Sequence, residues 1–256
     1  MKKAFAVSIM MLIASGILAG HPAFAHNFAQ NSDADLIAKI QESKAESKLI
    51  ANNISNSSVA QWHISKSQEY WGSNEMSLLD QKDSSLASQI STDMDDLYSM
   101  AGQQNTDPTI ANQKADTLNH LLDQAEPEMT SSSSQNNATV QALAMVDVLN
   151  EVLKDYGAAI GSSVDLTNMN NMNMSGMSSS GSMQGMSGMS SAPIVNDAAY
   201  QSAQALTSTA QTMFSNLQSI APTSASPYLT KAGPALSDLK QKIDSKSSGN
   251  DVMTVV

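Results

Sequence analysis

The chain contains no cysteine. Disulfides, zinc–thiolate centres and thiol catalysis are therefore excluded, and apolar packing must hold the fold together. Arginine is absent too, so every one of the 13 basic residues is lysine. The planar fork that grips carboxylate and phosphate in pairs is missing. Against 24 acidic residues the net charge is −11, a poor match for nucleic acid or anionic lipid. Aromatic residues make up only 4% of the chain, which leaves core building to Leu, Ile, Val, Ala and Met. No G-x-S-x-G, H-E-x-x-H or Walker loop occurs, and no feature favours an enzyme. Beyond residue 25 no apolar run is long enough to span a bilayer.

The first 25 residues have the three parts of a secretory signal. Lys2 and Lys3 precede an apolar stretch from Ala4 to Gly20, and Ala23-Phe24-Ala25 is a small-x-small cleavage site. A retained anchor is the other reading, but the span is marginal and Pro22 follows at once. Lipoprotein anchoring is excluded because no Cys follows. Cleavage after Ala25 leaves 231 residues beginning at His26, with 11 lysines against 24 acids. The expected location is extracytoplasmic: periplasm, pseudoperiplasm or medium, with the chain soluble once the signal is removed. Asn53, Asn56, Asn137 and Asn173 each begin an N-x-Ser/Thr sequon, which is compatible with export.

Hydrophobic periodicity is helical nearly throughout, and no strand-like alternation competes with it. The spacing predicts helices over 33–55 and 58–71, then a third along Leu79, Leu86, Ile90, Met94, Leu97 and Ala101, which Gly102 can end. Asp107-Pro108 reads as N-cap plus N1 proline of a fourth helix. Ile110, Leu118, Leu121, Leu122 and Ala125 form its buried stripe, and Pro127 is expected to stop it. A fifth helix is predicted over 138–161 and a sixth over about 196–220. The last carries Leu229, Ala232, Leu236, Leu239 and Ile243, bent or restarted at Gly233-Pro234. The expected fold is all-α: one antiparallel helical bundle, or two smaller ones. The segments are 26–126, a polar linker 127–137, a second helical part 138–248 and a tail 249–256. Residues 162–192, rich in Ser, Gly, Asn and Met, cannot bury enough surface to offset ordering entropy and are expected to form a long disordered loop.

That loop is the strongest local signal. Met169, Met172, Met174, Met177, Met183, Met186 and Met189 are seven of the chain's 17 methionines, within 21 residues. A thioether is a soft, neutral ligand suited to Cu(I), and it needs no deprotonation. Gly and Ser between the sulfurs restrict the backbone little. No Leu, Ile or Phe lies among these methionines, so a role as core hydrophobes fits badly. The other reading is a neutral linker or an oxidation buffer. The segment MQGMSGM resembles the Met-rich repeats of exported copper-resistance oxidases and copper carriers. Those repeats interleave His and Asp, which residues 169–189 lack; the difference favours Cu(I) over Cu(II).

Three histidines are further candidate metal ligands. At a new N-terminus, His26 would offer an amine and an imidazole, and a second imidazole from His63 or His120 would complete a copper brace. Asp116, His120 and Asp123 share a face of the fourth helix, with Glu126 near, although such a set commonly forms a solvated face. Asp147, Glu151 and Asp155, with Lys154 beside them, read the same way. His63, close to Trp62, Tyr70 and Trp71, reads first as a partly buried packing residue.

The stretches HISKSQEYW…LLDQKDSSLASQI, DVLNEVLKDYGAAI and NDAAYQSAQALTSTAQTMF resemble the extracytoplasmic helical region attached to some oxidase-linked iron permeases. The permease's Arg-Glu-x-x-Glu motif and its membrane helices are absent, so the resemblance implies a detached module of metal supply and not transport. It also implies an envelope metal-transport or oxidase protein as partner. The expectation is an exported, non-enzymatic protein that collects or buffers Cu(I). The alternative is a helical envelope interaction protein.

Overall fold

The computed structural model describes residues 31–101, 103, 106–163, 166–167 and 191–255. Among them are ten α-helices and no strand: α1 Ser32–Asn52, α2 Ser57–Tyr70, α3 Ser73–Asp80, α4 Ser84–Met100, α5 Pro108–Met129, α6 Ser132–Gln135, α7 Ala138–Ala159, α8 Asp197–Ile220, α9 Ser226–Asp244 and α10 Gly249–Met253. The all-α bundle expected from the periodicity is what the chain forms. Among the described residues no helix is long and apolar enough to cross a membrane.

Helix starts follow local chemistry. Asn31, Asp83, Asp107, Asn137 and Asn196 each cap a helix by accepting backbone N–H groups on their side-chain oxygens. Two prolines that periodicity treats as breaks are absorbed: Pro127 lies inside α5 and Pro234 inside α9. The predicted third helix is divided into α3 and α4, because Asp83 accepts the Leu86 N–H and starts a new helix. Ile110 is 52% exposed and lies off the α5 stripe. Most of the predicted polar linker 127–137 is helical, through α5 and α6. The tail 249–256 is no loose end, since Val252, Met253 and Val255 are buried.

Two apolar cores result, and α1 belongs to both. Ala34, Ile37 and Ala38 join a core built by α7, α8, α9 and α10, while Leu36, Ile40, Ile50 and Ala51 join one built by α2, α3, α4 and α5. The two small bundles are thus fused through a shared helix. The middle of α1, Gln41 to Lys48, has Ala45 as its one apolar residue, yet it is largely covered. It can be covered because its polar groups find partners. Gln41 donates to Glu126, and Lys44 and Lys48 pair with Asp123 and Asp116 of α5. Ser47 donates to Asn119 at 2.6 Å.

Candidate functional site

Where α1, α2, α7 and α8 meet, the interior is polar. Glu46 of α1 is fully buried and accepts on both oxygens: from His63 Nδ1 of α2 at 2.7 Å and from the Ser202 hydroxyl of α8. The same face of α2 carries Lys66 one turn on and Tyr70 one turn further. Lys66 is 7% exposed. Its ammonium pairs with Glu151 of α7, lies 3.4 Å from Asp155 Oδ1 and 3.5 Å from Glu69, and stands 4.9 Å from the Tyr70 ring centroid. Glu42 of α1, also buried, completes the set.

The electrostatics follow from this packing. Burial pushes the Glu42 carboxyl up to about 8, with the Glu151 charge adding to it and Lys66 opposing. Burial likewise pushes Asp155 up to about 7 in spite of Lys66. Glu151 goes the other way: hydrogen bonding and charge from Lys66 outweigh its burial and hold it below the usual range. Burial, then the neighbouring carboxylates, push the Tyr70 phenol far up, so it stays protonated. Four buried atoms have no hydrogen-bond partner of good geometry: His63 Nε2, Tyr70 Oη, Asp155 Oδ2 and Ser43 Oγ. Buried polar atoms are nearly always paired, so these four are exceptions, and the Tyr70 hydroxyl still acts on the Glu151 carboxyl.

No family model matches this chain, and no curated protein or solved structure matches it. Among the described residues, no three His, Asp or Glu side chains come together as a metal-ligand set.

Of the candidates named from sequence, His26 and the seven methionines lie outside the described residues. His63 is completely buried, more than its predicted role as a partly buried packing residue, and its Nδ1 is committed to Glu46. His120 is exposed on α5. Its neighbours Asp116 and Asp123 turn to Lys48 and Lys44 of α1, which joins the helices along an ion-paired seam. Of the Asp147–Glu151–Asp155 stripe only Asp147 stands on the solvated face expected: Asp155 is 2% exposed and Glu151 is half-buried.

Both roots of the Met-rich segment are described and both are anchored. On the outgoing side, Leu166 is buried against Gly157 and Gly249. On the return, the Ala192 N–H donates to Lys246 O at 2.6 Å, and the Val195 and Asn196 N–H groups donate to Ala159 O at 2.8 and 3.1 Å. Gly161, with φ of 63°, provides the left-handed residue that turns the chain out of α7. Tyr156 and Tyr200 tie the same end together by donating to Ser247 O and Ile243 O.

Proposed function

We propose that this is an exported protein that collects Cu(I) outside the cytoplasm through the thioethers of Met169, Met172, Met174, Met177, Met183, Met186 and Met189. The observation that carries the reading is the density of soft ligands: seven methionines in 21 residues with no competing hydrophobe. The anchored roots support it. The flanking residues Leu166 and Ala192 are both fixed to one end of the helical body, and any two of these sulfurs, tethered within one short stretch of chain, share a high effective concentration. Thioethers do not titrate, so capture should persist into mildly acidic medium. An envelope metal-transport or oxidase protein is the recipient that best fits an exported collector, and the helical body would be its docking surface.

The test is a variant with all seven methionines changed to leucine, titrated with Cu(I) against a chromophoric chelator. The expected result is loss of Cu(I) capture with the helical circular dichroism unchanged. Equal Cu(I) affinity in the variant would overturn the reading and leave the segment a linker or oxidation buffer.

A further inference from the structure

The four-helix junction contains more acid than its surroundings can neutralise. The carboxyls of Glu42, Glu46 and Asp155 are buried, and half-buried Glu151 lies beside them, with a single buried ammonium, that of Lys66. Glu46 is bonded to His63 and Ser202, and Glu151 is paired with Lys66. Glu42 has no ion pair, and Asp155 has one oxygen without any partner. Carboxylates cannot be held in such a place without a counter-charge or a proton.

We propose that Glu42 and Asp155 form a proton-operated latch, which holds the two cores of the molecule together while both carboxyls are protonated and loosens their joint when the protons leave. The location gives the latch its leverage. Glu42 stands on α1, the helix that both cores share, and Asp155 stands on α7, in only one of them. Lys66, on the α2 side, already bridges to Glu151 and Asp155 across the joint. Every element around the pair contributes to its field. From α1 come Glu42 and Glu46, and from α2 come His63, Lys66, Glu69 and Tyr70. From α7 come Asp147 at the exposed rim, Glu151, Lys154 and Asp155, while α8 contributes the uncharged Ser202. Acidic neighbours outnumber cationic ones, so a negative charge on Glu42 or Asp155 meets repulsion as well as lost hydration.

The sign follows from linkage. Both carboxyls bind protons more tightly folded than unfolded, since burial raises them to about 8 and about 7. Stability from them is complete below the unfolded carboxyl range, declines as pH rises, and is gone once pH passes the folded values. The direction is opposite to that of the ion-paired Glu151, whose lowered value contributes stability that is lost as pH falls.

The experiment is urea denaturation of the full chain from pH 5 to pH 9, followed by circular dichroism, alongside the double variant Glu42→Gln, Asp155→Asn. The unfolding equilibrium constant of the wild type should rise by at least about tenfold per pH unit between pH 5 and pH 7 and level off above pH 8. The double variant, whose amides imitate the protonated acids in shape, should lose most of that slope. An infrared difference spectrum between pH 6 and pH 9 gives a reading that does not depend on the variant folding. The carbonyl stretch of a protonated carboxyl should be present at pH 6 and absent at pH 9. A wild type with no slope between pH 5 and pH 8, a double variant with the full slope, or no carboxylic acid band at pH 6 would each overturn the latch.

Discussion

Lys66→Met is the perturbation that should damage the fold most for the least change in shape. Methionine keeps most of the length of the lysine stem and removes the ammonium, which stands over the Trp62 and Tyr70 rings. Glu151 and Asp155 then lose their common cation, and neither has another close at hand except the exposed Lys154 beside Glu151. Removing one partner of a buried pair costs about 3–5 kcal/mol, because the remaining charge is enclosed without compensation. At pH 8 the loss should stand near the middle of that range, about 4 kcal/mol. The penalty is smaller when the orphaned acids can take up protons, so by pH 5 it should shrink to about 1 kcal/mol. With a urea slope of roughly 2–3 kcal/mol per molar, the pH 8 midpoint should fall by about 1.5 M. A fall below about 0.3 M at pH 8, or an equal fall at pH 5 and pH 8, would refute the electrostatic account of the junction.

Other consequences follow from local structure. Asn137 caps α7 by accepting from the Thr139 and Val140 N–H groups, so Asn137→Ala should cost about 1 kcal/mol in urea unfolding, and no measurable loss would show the cap to be idle. Ending the chain after Ser248 removes buried Val252, Met253 and Val255, a loss of roughly 4.5 kcal/mol at about 1.5 kcal/mol for each. A truncated chain with an unshifted denaturation midpoint would mean that α10 is not part of the core.

The helices were legible because their apolar stripes are regular and their caps local. Asp107-Pro108 announces α5, and the stripe Leu86, Ile90, Met94, Leu97 announces α4. The division between α3 and α4 was hidden because Leu79 and Leu86 keep helical spacing across it. Short α10 gives too few residues for periodicity to register. The polar junction was hidden for a deeper reason. Glu42, Glu46 and Asp155 lie at the spacings of ordinary solvated faces, and only tertiary partners tell enclosed acids from exposed ones. One signal was available: Glu42 and Glu46 stand beside Ser43 and Ser47, small residues that allow another helix to approach closely, and all four are buried.

Helix α1 is the first described element to leave the ribosome and the last to be fully covered. Its Ala34–Ile37–Ala38 surface waits for α7, about a hundred residues downstream, and its Glu46 waits longer still for Ser202 of α8. At ordinary rates of synthesis that interval is on the order of 5–20 s. Throughout it a half-built molecule can close its first core and yet present an unpaired seam, apolar at one end and acidic in the middle. Such an architecture delays completion, since the piece that emerges early cannot finish its fold before the piece that emerges late arrives.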